Sequence, residues 1–271
     1  MQDSRLATKG LVLLGCGKMG SAMLQGWLAQ GLPPSSVWVV DPYPSDWLKG
    51  VGVHLNTDLP AAPAIVLVAV KPQMMADALP TLTIMGNSDT LFVSVAAGIT
   101  TDYFEKMLGS QTPVVRAMPN TPAAISQGIT AIVGNAAASA QSLEEAESLL
   151  QAVGDVVRVA DEGKIDAVTG VSGSGPAYVF HMIETLAAAG AAEGLPPETA
   201  MQLAKATVAG AGALAMAAEE TPEQLRINVT SPNGTTQAAL EVLMNEEDGF
   251  PALMKRAVKA ATERSRELAN G

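Results

Sequence analysis

Gly15-Cys16-Gly17-Lys18-Met19-Gly20 is the stretch that decides the fold. It follows the apolar run Gly10-Leu11-Val12-Leu13-Leu14 and opens a helix-like segment, Ser21 to Gln30. A strand before and a helix after turn a common Gly-rich hexad into a dinucleotide fingerprint. Gly15 permits the tight turn, Gly17 lets backbone approach a pyrophosphate, and Gly20 allows helix–strand packing. The N–H groups that open the helix, around Lys18 and Met19, then face the anion along with the positive end of the helix dipole.

Working outward, short apolar runs alternate with helix-like segments over residues 1–160, the pattern of a parallel sheet with crossover helices. Strands are expected at Ser36 to Val40, Ala64 to Val70, Thr90 to Val95, Thr112 to Arg116 and Gly128 to Val133, with an edge strand at Asp155 to Val159. Leu143 to Val153 reads as an amphipathic helix. After about Asp161 strand-like runs give way to helices: Pro176 to Ala192 with Ser174 as N-cap, Glu198 to Ala218, Pro222 to Asn228, Thr235 to Met244 and Pro251 to Leu268. The fold class is therefore α/β, an N-terminal parallel-sheet dinucleotide domain (1–160) followed by an all-helical region (161–271). The helices are apolar on more than one face, and roughly 110 residues make a small core for that surface. Burial against a second subunit is expected, with Gly190, Gly210 and Gly212 allowing close backbone approach.

Composition narrows the function. A formal net charge of −11 repels phosphate polyanions and argues against nucleic acid and anionic membranes as partners. Cys16 is the single cysteine, which excludes an intrachain disulfide and argues against a Cys-based metal site. His54 and His181 are far apart, so no metal site is expected. The opening residues lack a signal-peptide pattern, and the apolar runs are too short to span a bilayer, so a cytoplasmic protein is expected.

The second expected strand ends at Asp41, about twenty residues beyond Gly20. A carboxylate there accepts ribose hydroxyls and repels a 2'-phosphate, and Lys49 is the only Lys or Arg between Asp41 and Asp58. NADH suits this better than NADPH. The same carboxylate is equally able to cap the turn Asp41-Pro42-Tyr43-Pro44. Three more loops follow strand C-termini, where ligands bind in open parallel sheets: Ala69-Val70-Lys71-Pro72, Ser94-Val95-Ala96-Ala97-Gly98 and Met118-Pro119-Asn120-Thr121-Pro122. Small residues at Ala96, Ala97 and Gly98 leave room for a flat ring, and Lys71 and Arg116 are the cations at these ends. As a set, these loops read as the nicotinamide end.

Two polar segments interrupt the helical region: Gly170-Val171-Ser172-Gly173-Ser174-Gly175-Pro176-Ala177-Tyr178 and Asn228-Val229-Thr230-Ser231-Pro232-Asn233-Gly234-Thr235-Thr236. The second runs into a helix start ringed with hydroxyls and free N–H groups, a natural carboxylate binder.

In order along the chain, Gly-Cys-Gly-Lys-Met-Gly, Ala-Val-Lys-Pro, Ala-Ala-Gly, Ala-Met-Pro-Asn-Thr-Pro, Gly-Val-Ser-Gly-Ser-Gly-Pro-Ala-Tyr and Ser-Pro-Asn-Gly-Thr-Thr resemble the pyrroline-5-carboxylate reductase family from about residue 10 to 268. The resemblance implies a Rossmann domain with a helical dimerisation domain, in a homodimer or a higher homo-oligomer whose active sites are shared between subunits. It implies reduction of 1-pyrroline-5-carboxylate to L-proline by NADPH or NADH. By position, Ser231, Gly234, Thr235 and Thr236 would hold the small-molecule substrate's carboxylate, and the Thr236 hydroxyl would also reach the ring nitrogen. Asn228 would lie beside the cofactor and Asn56 near its adenosine side. Glu219 resembles a family carboxylate near the imine, or is a solvated helix end. Two residues depart from the family pattern. Asp41 stands where a neutral or 2'-phosphate-tolerant residue is usual, and Asn233 replaces a glycine but is the best non-glycine residue for positive φ.

A protonated imine is already electrophilic, so hydride transfer to it needs neither a metal nor a strong acid, and positioning supplies much of the rate. A β-hydroxyacid dehydrogenase would want a lysine within Pro176 to Ala192, and none is there. A non-catalytic NAD(P)(H) sensor has no use for the hydroxyl-rich loop. His181, inside an apolar helix, reads as a core residue.

Overall fold

The apolar runs expected as strands align into one eight-stranded sheet in the computed structural model, which describes residues 5–269. These residues divide into two compact units, one reaching to Gly173 and resuming at Ala261, the other Ser174–Ala260.

The first unit runs α1 (Arg5–Lys9), β1 (Leu11–Leu14), α2 (Lys18–Ala29), β2 (Val37–Val40), α3 (Asp46–Gly50), β3 (His54–Leu55), β4 (Ile65–Val68), α4 (Met75–Ala78), β5 (Leu91–Ser94), α5 (Thr101–Leu108), β6 (Val114–Met118), β7 (Gly128–Gly134), α6 (Ala140–Leu150), β8 (Gly154–Arg158) and α7 (Ile165–Val168). The strand order is β3-β2-β1-β4-β5-β6-β7-β8, parallel throughout except between β6 and β7. The chain winds from β1 out to β3 and returns to β4 on the other side of β1. That reversal makes the β1/β4 boundary the switch point where open α/β sheets bind ligands. The connection from Met118 to Gly128 is too short for a crossover of a dozen or more residues, so β7 must run back against β6.

Strands β1, β4 and β5 are buried at every position because helices cover both faces. Leu11, Leu13, Ile65 and Leu67 pack on one face with Trp27 of α2 and Leu149 of α6. Val12, Val66 and Phe92 pack on the other with Leu79, Leu82 and Phe104. The Trp27 indole N–H donates to the Leu149 carbonyl at 2.8 Å, so the largest core side chain leaves no orphan donor. Trp38 stacks on His54 with ring centroids 4.5 Å apart, and Trp47 is exposed.

The second unit holds α8 (Gly175–Ala192), α9 (Pro197–Ala217), α10 (Pro222–Asn228), α11 (Thr235–Leu243) and the first half of α12 (Phe250–Ala269). Helices α8 and α9 form a hairpin around Gly194-Leu195-Pro196, where Gly194 takes φ +97° and Pro197 restarts the helix. Ser174 stands at the N-cap position of α8, as expected, but its side chain makes no capping hydrogen bond. Thr169–Gly173 winds as a turn of π-helix leading up to it, so the Ser174 backbone has helical angles (φ −87°, ψ −19°) instead of the extended ones usual at a cap. Of the three glycines expected at close contacts, only Gly190 meets another segment of this chain, at Ala200 and Leu195. Gly210 and Gly212 face open space in the single chain. Phe180, Leu186, Leu203, Leu214 and Met216 are exposed there too.

Candidate functional site

The Gly-rich turn leaves β1 at the switch point. Gly15 sits at φ +89°, and a side chain there would meet the Ala69 backbone at 3.0 Å. A side chain on Gly20 would run into the Gly15 carbonyl, so β1 and α2 lie as close as two glycines allow. Gly17 is different: an added Cβ meets no protein atom within 4 Å. Nothing in the fold requires a glycine at 17, whereas a ligand lying against the turn would. The N–H groups of Gly17, Lys18 and Met19 make no hydrogen bond among the described residues, and they open the 12-residue helix α2. The geometry fits a pyrophosphate on a helix N-terminus.

Asp41 is almost fully buried, and both carboxylate oxygens are occupied. Oδ2 accepts the Cys16 N–H at 2.7 Å and Oδ1 the Tyr43 N–H at 2.7 Å. The second contact is the turn cap foreseen as one of its two roles; the first ties the end of β2 to the Gly-rich turn. Asn56, at φ +52°, brackets the Asp41 peptide: Oδ1 accepts its N–H and Nδ2 donates to its carbonyl, both at 2.9 Å. The Cys16 thiol is pushed up from its ordinary pKa, chiefly by burial; a hydrogen bond with Ser21 opposes this and the Asp41 charge adds to it. The thiol stays protonated at neutral pH and is no nucleophile.

Strands β4, β5 and β6 are parallel, so the three other loops emerge at the same edge. Ala69, Val70 and Pro72 lie at the mouth of the β4 loop, and Lys71 is exposed in extended conformation. Ala96 is buried, Ala97 is exposed, and Gly98 takes φ +76°. Asn120 is buried and accepts the Ile129 N–H at 3.0 Å, so it fixes the start of β7. Arg116 does not reach into the open edge. Its guanidinium is buried against Glu162 at 2.8 Å. Glu162 was not legible as a site residue. The one signal for it is indirect: an arginine in a buried strand must have a counter-charge somewhere in the chain.

In the second unit, Ser231, Asn233 and Thr235 are exposed while Gly234 and Thr236 are half-buried. Asn233 takes φ +57°, the conformation anticipated for it, and its N–H donates to Gln237 Oε1 at 2.8 Å. A side chain on Gly234 would collide with the Ser231 hydroxyl. The N–H groups of Thr235 and Thr236, at the start of α11, make no hydrogen bond among the described residues. Asn228 ends α10, exposed, accepting from Gln224 at 2.8 Å. Glu219 is exposed at the bend after α9. His181 is not a core residue of this chain. It is exposed, with Nδ1 3.2 Å from Glu184.

Among the described residues there is no cluster of three or more His, Cys, Asp or Glu able to hold a metal, and no helix long and apolar enough to cross a membrane.

Residues 162–268 match a family model described as pyrroline-5-carboxylate reductase dimerisation, and residues 10–98 match one described as NADP oxidoreductase, coenzyme F420-dependent. The chain is 41% identical to the pyrroline-5-carboxylate reductase of Pseudomonas aeruginosa, over 97% of this chain and 98% of that one. It superposes on a pyrroline-5-carboxylate reductase from Coxiella burnetii with TM-score 0.91 at 36% identity, covering 97% and 99% of the two chains. A Plasmodium falciparum pyrroline carboxylate reductase with NADP bound gives TM-score 0.83 at 26% identity, with the same coverage.

Proposed function

The chain belongs to the pyrroline-5-carboxylate reductase family, and on that premise we propose how its own residues carry out the reaction. It is an NAD(P)H-dependent oxidoreductase that reduces the C=N bond of 1-pyrroline-5-carboxylate to give L-proline. When bound, the reduced nicotinamide supplies a hydride to the imine carbon; the π pair moves onto a nitrogen that already carries its proton, and solvent protonates the amine formed.

The dinucleotide site consists of Gly15, Gly17, Lys18, Met19 and Gly20 on the pyrophosphate, with Asp41 and Asn56 on the adenosine side. Ala69, Val70, Lys71, Pro72, Ala96, Ala97 and Gly98 form its nicotinamide end, with Asn228 beside it. Ser231, Gly234, Thr235 and Thr236 hold the substrate carboxylate through hydroxyls and the free N–H groups of α11. The Thr236 hydroxyl orients the ring nitrogen. No residue need transfer a proton in the hydride step, which suits a loop of hydroxyls and amides. The single observation carrying this assignment is Gly17, a glycine whose missing side chain leaves room for nothing in the protein itself.

Residues 161–271 are assigned to dimerisation and substrate binding. The protein is a homo-oligomer; we take the unit to be a dimer in which one subunit supplies the dinucleotide site and its partner the Ser231–Thr236 loop. Its lone cysteine suits a cytoplasmic location.

The test is a steady-state assay with 1-pyrroline-5-carboxylate and either NADH or NADPH. Proline formation supports the reading; cofactor binding with no turnover on any cyclic imine acid overturns it. The two rates also bear on Asp41. Asp41→Ser removes the charge and should raise the NADPH/NADH ratio of kcat/KM by about tenfold, the effect of ~1.4 kcal/mol of lost repulsion toward a 2'-phosphate. A fall in both values at an unchanged ratio would leave Asp41 only its bonds to Cys16 and Tyr43.

A further inference from the structure

The turn from β5 into α5 carries Ala96, Ala97 and Gly98 and is closed by a long bond, the Ile99 N–H donating to the Ala96 carbonyl at 3.5 Å, so its firm anchors come from outside it. Thr100, at the N-cap of α5, makes no side-chain bond to the helix. Glu162 does so from across the fold: Oε1 accepts the Thr101 N–H at 2.9 Å and Oε2 the Thr101 hydroxyl at 2.6 Å. The same Oε1 receives Arg116 Nη1 at 2.8 Å. The Arg116 side chain is only 5% exposed, and its strand pairs Arg116 with Ser94 at the end of β5. The Ser94 hydroxyl accepts the Ala96 N–H at 3.3 Å, at the entry to the turn. The far side of the turn is braced as well. A side chain on Gly98 would meet the Leu268 carbonyl at 3.2 Å, and that end of α12 is tied to α7 by Ser265 donating to Asp166 at 2.6 Å.

An ion pair with a buried arginine and a half-buried carboxylate is a poor device for stability alone, because an apolar pair of similar volume often does as well. Arg116 Nε, buried with no partner among the described residues, adds to its cost. What the pair supplies is a fixed carboxylate position, and that carboxylate holds the first residue of α5 by two hydrogen bonds.

We infer that Glu162, neutralised by Arg116, is a positioning residue for the nicotinamide: it sets the Ala96–Gly98 turn against which the ring lies. The inference rests on the reading of that turn as the nicotinamide end. Glu162 touches neither substrate nor cofactor and acts through Thr101.

The experiment compares two affinities on the purified full-length protein by calorimetry. One is for the whole reduced dinucleotide of the preferred type. The other is for the matching fragment without nicotinamide, ADP-ribose or its 2'-phosphate. Glu162→Gln should weaken the whole dinucleotide by about fivefold or more and leave the fragment within about twofold, the scale of one net hydrogen bond. Thr101→Val removes only the hydroxyl and keeps the ion pair, so it decides the matter if Glu162→Gln does not fold; it should show the same selective loss. Equal weakening of both ligands, or of neither, overturns the inference, since a merely structural role cannot distinguish them. Ala97→Leu separates the two layers of the argument. If it selectively lowers dinucleotide affinity while Glu162→Gln and Thr101→Val do not, the inference fails alone. If it changes neither affinity, the turn is not the nicotinamide end and both fall.

Discussion

Replacing Gly17 with valine should weaken dinucleotide binding by about 100-fold or more while leaving the melting temperature within ~2 °C of the parent. The reason is where the new side chain goes. Gly17 has φ −70°, which any residue adopts, and no protein atom lies within 4 Å of the added Cβ. The fold therefore has no objection. The isopropyl group instead fills the space over the unpaired N–H groups of Lys18 and Met19, where the pyrophosphate must lie. Gly20→Ala is the informative contrast. Its Cβ collides with the Gly15 carbonyl, so that variant loses stability before it loses ligand. Calorimetric titration with the dinucleotide and a thermal melt on each variant distinguish the two behaviours; undiminished affinity in Gly17→Val would remove the dinucleotide from this turn.

Thr236→Ala should lower kcat by about 10- to 100-fold, the scale of one donor aimed at the reacting centre, with dinucleotide affinity unchanged. Thr236 lies in the first turn of α11, and its hydroxyl makes no hydrogen bond among the described residues, so truncation breaks nothing in the chain. Alanine is the better helix former by a few tenths of a kcal/mol, so stability should hold or rise slightly. Single-turnover kinetics would locate the loss in the hydride step, and unaltered kcat would take Thr236 out of the mechanism. Mixing this variant with Gly17→Val tests the shared site. A mixed dimer carries both defects in one site and neither in the other, so random pairing should restore about a quarter of parent activity. No recovery would place both loops of a site in one chain.

The dinucleotide half was legible because its signals are local. A buried strand, three glycines and an acid at the end of the next strand sit within about thirty residues, and each answers to a short-range steric or electrostatic demand. The expected edges differ from the observed ones where terminal residues join turns: Gly10 and Ser36 fall outside β1 and β2, and α2 begins at Lys18 instead of Ser21. The direction of β7 was not in its own residues, since an apolar run reads the same in either sense. Only the brevity of the Met118–Gly128 link reverses it. Ser174 is legible as the N-cap position from the Gly-Pro helix start that follows it, whereas the π-turn ahead of it, which leaves its side chain without a capping bond, is not. His181 lies outside the core because an apolar composition does not say which face of α8 is covered, and its face is open in the single chain. Glu162 stayed hidden for a different reason. Its partners lie 46 and 61 positions away, and no periodicity links residues so far apart.

All three tryptophans, Trp27, Trp38 and Trp47, precede Gly173, and residues 174–260 contain none. Their environments differ, from a sealed indole to one stacked on imidazole to one partly open to solvent. Tryptophan emission, excited selectively over tyrosine, therefore watches only the sheet-bearing half, while the long helices α8 and α9 weigh heavily in the far-ultraviolet dichroism. Following both signals through one denaturation series separates the cohesion of the two halves without any label. Coincident transitions would mean a single cooperative unit, and divergent ones would name which half lets go first.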